Sequence, residues 1–430
     1  MTEQPPRKDI AEAVADGRKW AVDTLAGWVR KDSVLGNERP AQEYIAHELA
    51  ALGLDVTLLP VDPARIRALP GYSPADWSYD ERPNVVATLE PGRKDGRSLI
   101  VNGHVDVVPP GPLSLWSHPP FEPMVYERDG RTWMHGRGAG DMKGGTVACL
   151  WALRTIAVLD LVPASPVVVQ SVIEEECTGN GTLALCEAGY TADGCLVPEP
   201  FAETLLVQQV GVLWFRVHVL GRATHVLGAR RGVNAIEKTW PLIRALRDME
   251  REMNEDVPPA YAHLDHPLNL NVGIIRGGEW ASSVAAECTV HLRMGLFPGD
   301  RLDDLKARIE HRVAEAADAD PWLRESRPRV EYVGFAAEGC TFDPQTGLGR
   351  ALDRAHGSWR GARPERLAAT ATTDVRFFDL YHGTPATCYG PDARDIHGAD
   401  ERVDVDSMQR VAEVVSSFVM DWCGVMRRGR

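Results

Sequence analysis

The chain has 430 residues, of which 44% are apolar and 25% charged, and it carries a formal net charge of -14. That length favours two or more domains, and the acidic balance offers no broad positive field to a phosphate backbone, so a nucleic-acid partner is not expected. The chain opens on polar residues and nowhere do about 18 apolar residues run together, so neither a leader peptide nor a membrane span is readable and a cytoplasmic address without a membrane partner is expected.

Helical periodicity runs to about Val29, and a second helix begins near Pro40 in RPAQEYIAHELAALGL and ends at Gly53. Short strands follow in DVTLLPV, NVVATLE and SLIVNGHV, with Asn102-Gly103 read as the turn out of the sheet. Residues 142–159 are periodic at helical spacing, and PVVVQSVIEEE is a near-continuous β-branched run of the kind found in a central strand covered on both faces. Strands alternating with helices predict an α/β domain with a central, mostly parallel sheet between helices. The eight cysteines are scattered without a CxxC pair, which predicts reduced thiols, no disulfides and no thiolate metal site.

From about Val210 the texture changes. LWFRVHVLG reads as a strand, residues 232–255 as a helix, LNLNVGIIRGG and ECTVHLRMGLF as strands, and residues 300–317 as a helix. This order predicts a small two-layer α+β (ferredoxin-like) unit that closes on itself. Pro241 falls inside its first helix and marks a kink. RVEYVGF, a helix from Gly347, ATCYG and a last helix from Val405 then resume the first texture. The expected architecture is a discontinuous catalytic domain, residues 1–209 and 321–430, with an inserted domain at residues 210–320.

Ligands of open α/β sheets bind beyond the carboxyl ends of the strands. His104 and Asp106 stand at one such end, in LIVNGHVDVVP, and Asp141 stands in the turn GRGAGDMKGG with its five glycines. Glu174, Glu175 and Glu176 end the β-branched run, Glu199 follows GCLVP, and His397 lies in DARDIHGADE. Singly, each reads more readily as a surface pair, a turn or a solvated strand end than as part of a metal site. Together they supply imidazole and carboxylate without thiolate, and three adjacent glutamates repel one another unless something positive holds them. One or two divalent cations would do so, and such donors suit zinc, cobalt or manganese. Paired cations polarise a carbonyl and acidify water, and a neighbouring glutamate then serves as general base.

The blocks NGHVDVVP, HGRGAGDMKGG, IEEECTGNGT, VPEP and DIHGADERV occur in an order that resembles the dinuclear metal amidohydrolases, the family of acetylornithine deacetylase, succinyl-diaminopimelate desuccinylase, aminoacylase and carboxypeptidase G. The resemblance runs from about residue 41 to the end. It implies two divalent metal ions, zinc or cobalt with manganese as a further option. His104 and Glu199 would be ligands of the first, Glu176 and His397 of the second, and Asp141 the carboxylate between them. Asp106 would fix the His104 tautomer, and Glu175 would be the general base that takes a proton from the attacking water and hands it to the leaving nitrogen.

The same resemblance makes the inserted unit a lid or dimerisation domain and implies a homodimer in which His225, in GRATHVLGARRGVNAI, steadies the oxyanion in the partner's site. Arg293, in CTVHLRMGLFPG, stands where relatives clamp a substrate carboxylate. SSVAA at Ser282 departs from the family's asparagine before a proline turn, which alters the shape of the pocket. TTDVRFF, with Asp374 and Arg376, matches as a structural or substrate-facing loop. The implied function is metal-dependent hydrolysis of an amide C–N bond in a small molecule, with removal of an acyl group from an amino acid or related amine placed first. Alternatives are a dipeptidase or carboxypeptidase, a hydrolase of carbamoyl, formyl or aromatic-amine bonds, and a silent binding protein on the same fold.

Overall fold

The computed structural model describes residues 4–91 and 95–428. Six strands form the main sheet, in the order Asp55–Pro60, Pro83–Leu89, Val167–Val172, Leu99–His104, Cys195–Val197 and Ala386–Cys388. Pro83–Leu89 runs antiparallel to both its neighbours, and the remaining pairs are parallel. The mostly parallel sheet expected from the β-branched runs is present, and Leu99–His104 is buried along its whole length. Because the register sets His104 beside Val172, the segments that follow these strands leave the sheet along one edge.

The expected turn at Asn102-Gly103 is absent, since both residues lie inside the strand. Asn102 spends its side-chain amide on Gln170 Oε1 and Thr182 Oγ1, at 2.9 and 3.0 Å. Gly103 permits close packing instead: a Cβ there would stand 2.3 Å from Thr146 Oγ1, on the helix Gly145–Val158. That helix is buried almost throughout and packs against Arg7–Val29 and Val405–Cys423. Helicity was expected from residue 142, but the tight turn Ala139–Gly144 comes first and has non-helical backbone at Asp141 and Met142.

A second sheet is antiparallel throughout, in the order Leu270–Gly277, Glu287–Leu296, Gly211–Leu220 and Arg329–Ala337. The alternation predicted for these strands sends Leu213, Phe215, Val290 and Leu292 to a core shared with the helices Ala235–Met253 and Leu302–Asp318. The strand in RVEYVGF, expected to rejoin the first texture, pairs with Gly211–Leu220 and belongs to this sheet. Its pairing depends on a partner more than 100 residues away in sequence, which local texture does not reveal. Ala235–Met253 continues through Pro241, whose missing N–H leaves the Glu237 carbonyl without its helical donor but does not end the helix.

A small sheet completes the frame of the site. Arg131–His135, which runs directly into the Asp141 turn, pairs with Arg402–Asp404, which follows the His397 loop. Among the described residues no helix is long and apolar enough to cross a membrane.

Candidate metal centre

The segments leaving the main sheet converge. The donor atoms of His104, Glu175 and Glu199 lie within 4.8 Å of one another, and so do those of His104, Asp141 and Glu176. His104 Nε2 is 3.1 Å from Asp141 Oδ1, and His397 Nε2 is 3.3 Å from Asp141 Oδ2 and 3.0 Å from Glu176 Oε2. Asp141 therefore stands between the two imidazoles and presents one oxygen to each.

The imidazole of His104 is oriented from behind. Its Nδ1 is 2.9 Å from the main-chain carbonyl of Asp106, which only accepts, so Nδ1 carries a proton and Nε2 faces the centre. The side chain of Asp106 was expected to make this contact. Its nearer oxygen is 3.8 Å from Nδ1, and the carboxylate accepts instead from the main-chain N–H groups of Glu175 and Glu176, at 3.2 and 3.1 Å.

The three adjacent glutamates do not share one fate. Glu174 has φ +68° and turns into the protein, where it accepts from Arg82 Nη1 at 2.7 Å, Trp77 Nε1 at 2.6 Å, Tyr79 at 2.7 Å and Thr178 at 2.7 Å. Arg82 reaches it because Pro83–Leu89 runs antiparallel and so begins at the edge where the other strands end. The positive charge that stabilises Glu174 is this buried guanidinium, which also pairs with Glu38. Glu175 and Glu176 face the centre.

Burial is the main influence on Glu175 and Glu199. It pushes Glu175 and Glu199 well above the ordinary carboxylate range, and neighbouring negative charges, Glu199 on Glu175 and Asp141 on Glu199, add to the rise. Burial opposes the charged form of His104, but the hydrogen bond to Asp141 and the charges of Glu175, Asp106 and Asp141 outweigh it and raise this histidine well above its usual value. Oε1 of Glu175 is buried without a hydrogen-bond partner. An excess of buried acid, two imidazoles aimed inward and an orphaned carboxylate oxygen fit divalent cations, and the absence of sulfur among these donors suits hard or borderline ions.

Two residues that the sequence reading left unassigned hold the frame. Oε1 of Glu401 accepts from the main-chain N–H groups of Gly140 and Asp141, at 2.9 and 3.0 Å. Its partner Arg137 forms an ion pair with it and also donates to the carbonyl of Gly398 at 3.0 Å. One buried pair thus ties the Asp141 turn to the His397 loop. Both residues lie in quoted blocks, but nothing in those blocks shows that they meet.

Beside the centre lies a cavity of about 700 Å³, lined on the catalytic side by Glu175, Glu176 and His397 and on the other by the open face of the second sheet, Arg293 included. Among the described residues Arg293 has no acidic partner, and its one hydrogen bond is to the carbonyl of Asn269 at 3.4 Å. Asp374 and Arg376 are buried beneath the site, where Asp374 accepts from Thr182 at 2.6 Å. His225 is not brought to this centre. It lies exposed on a loop, where its Nδ1 accepts from Leu227 N–H at 3.2 Å.

The family model for peptidase family M20/M25/M40 matches residues 100–421. An N-formyl-4-amino-5-aminomethyl-2-methylpyrimidine deformylase of Bacillus subtilis is 31% identical over 376 residues, covering 82% of this chain and 86% of that protein. Its counterpart in Halalkalibacterium halodurans is 28% identical over 427 residues, covering 94% and 93%. The fold is shared with human carnosine dipeptidase 1, at a TM-score of 0.76 and 16% identity, covering 97% of this chain and 100% of that one. The chain belongs to peptidase family M20/M25/M40 and is a metal-dependent hydrolase of amide C–N bonds.

Proposed function

We propose that this enzyme removes a small acyl group from the nitrogen of a small amine. His104 and Glu199 would hold one divalent ion, Glu176 and His397 a second, and Asp141 would touch both; zinc or cobalt is favoured and manganese is compatible with the donors. When bound, such ions supply Lewis acidity toward the amide carbonyl and lower the pKa of water. Glu175 is the general base: its free oxygen accepts a proton from the attacking water and returns it to the departing nitrogen, so that a carboxylate and an amine leave. The observation that carries this reading is the unpartnered Oε1 of Glu175 at the rim of a cavity walled by imidazole and carboxylate.

Residues 210–337 form the inserted unit in this reading. The order β-α-β-β-α-β supports a ferredoxin-like lid and dimerisation domain. A homodimer would bring His225 of one copy to the oxyanion in the other, which accounts for an exposed histidine held on a structured loop. Arg293 would meet the polar end of the substrate, a carboxylate or another acceptor. A cytoplasmic address is supported by eight buried free cysteines, and the acidic surface balance supports a small-molecule partner over nucleic acid or membrane.

The relatives named as deformylases support a small acyl group. The test is turnover by metal-loaded protein on N-formyl, N-acetyl and N-succinyl amines beside dipeptides and carbamoyl amines. Release of amine from the acyl set, lost on chelation and restored by zinc or cobalt, is the expected result. Cleavage confined to dipeptides or carbamoyl amines would replace the acyl reading, and no turnover on any member would sink it.

A further inference from the structure

Glu174 stands just beyond the strand Val167–Val172, at the start of the segment that carries Glu175 and Glu176. Successive residues of an extended chain face opposite ways. Glu175 and Glu176 nevertheless both reach the centre, with Glu175 Oε2 3.8 Å from His104 Nε2 and Glu176 Oε2 3.0 Å from His397 Nε2. The alternation breaks at Glu174, whose φ is +68°. Its carbonyl then closes the turn by accepting from the N–H groups of Thr178 and Gly179, at 2.9 and 2.6 Å.

Glycine adopts that backbone without strain, whereas glutamate does so at a cost, so the side chain is what this position requires. It is fully buried, and four donors converge on it: Arg82 Nη1 and Trp77 Nε1 on Oε1, the hydroxyls of Tyr79 and Thr178 on Oε2. Both hydroxyls already accept from Asn180, from its Nδ2 at 2.8 Å and its main-chain N–H at 3.0 Å, and each gives its one proton to Glu174. Arg82 is shared with the buried Glu38, so two carboxylates are taken out of water on a single guanidinium. Such a network stabilises a fold less effectively than apolar packing would, but it fixes one geometry.

We infer that Glu174 is a positioning residue, whose carboxylate anchors the left-handed turn that delivers Glu175 and Glu176 to the metal centre. Trp77 also lines the cavity, so the anchor is fixed to the wall beside which the substrate lies. This rests on the reading of Glu175 as general base and Glu176 as metal ligand, and adds what holds the two in place.

Two variants separate the anchor from the backbone. Glu174→Gly keeps the left-handed turn and removes the carboxylate, leaving Arg82 paired with Glu38, while Glu174→Gln keeps Oε1 for Arg82 and Trp77. Each is compared with wild type by calorimetric titration with zinc and, when zinc-saturated, by kcat and KM on the N-acyl amine that the wild type cleaves best. Glu174→Gly is expected to weaken one of the two zinc-binding steps about tenfold or more. It is also expected to lower kcat about ten- to a hundredfold with KM within about threefold, and Glu174→Gln to recover most of both losses. A cooperatively folded Glu174→Gly protein with wild-type zinc affinities and kcat would overturn the inference, as would equal losses in the glycine and glutamine variants. Should the glycine variant fail to fold, Tyr79→Phe removes one of the four donors and keeps the ring. The same pair of losses is then expected at about two- to fivefold, and wild-type values would overturn the inference. A wild type that cleaves no amide of the panel would defeat the amide-hydrolase reading, while the zinc titration still decides the role of Glu174.

Discussion

Asp106 supports His104 with its main chain and the two following glutamates with its side chain. The carbonyl lies 2.9 Å from Nδ1 of His104, and the carboxylate accepts the N–H groups of Glu175 and Glu176. Removing the carboxylate therefore frees the segment that carries the base while leaving the imidazole contact in place. Asp106→Ala is expected to lower kcat/KM about ten- to a hundredfold. Metal analysis of the same variant should still find the ion held by His104 and Glu199.

Glu175 must be ionised to accept a proton, and burial together with the neighbouring carboxylates raises it well above the ordinary range. Activity is lost as pH falls and Glu175 takes up a proton, so kcat/KM has an acid limb. A pH profile locates the limb. Glu175→Ala is expected to lose about a hundred- to ten-thousandfold in kcat with metal content unchanged.

Arg137 and Glu401 join the backbone of Asp141 to the loop of His397. Arg137→Met leaves Glu401 buried without its charge partner and uncouples the two segments. Stepwise calorimetric titration with zinc is expected to show the weaker of two binding steps weakened further, by about ten- to a hundredfold, with the tighter step less affected. Equal affinity for both ions in wild type and variant would show that the pair contributes only to the fold.

Asp379 gives a pH prediction away from the centre. Burial raises its carboxyl to about 7, Oδ1 accepts from Ala386 N–H at 3.0 Å, and Oδ2 is buried without a partner. Between the unfolded value of about 3.9 and that raised value the folded state binds the extra proton. Stability therefore falls as pH rises through this window, and the penalty is complete above it. Asp379→Asn keeps the acceptor and removes the charge, so its Tm should exceed that of the wild type at pH 8, with a much smaller difference at pH 5.

The sequence made the main sheet and its ligand-bearing edge readable because each strand there is a short β-branched run that ends in acid or imidazole. Recognition of the ordered blocks then allowed roles to be attached to His104, Asp141, Glu175, Glu176, Glu199 and His397. What stayed hidden depends on partners distant in the chain. Nothing local tells Glu174, which meets Arg82, from Glu175, which does not. Arg329–Ala337 joined the second sheet through pairing that its own texture does not specify. Asn102-Gly103 has the composition of a turn, yet one residue satisfies a buried amide network and the other admits a helix.

The most direct test counts metal ions in single-residue variants by equilibrium dialysis against zinc. Two ions per wild-type chain are expected, one after His104→Ala or Glu199→Ala, one after Glu176→Ala or His397→Ala, and weak or no binding after Asp141→Ala. Folded variants that all retain the wild-type number of ions at unchanged affinity would contradict these assignments.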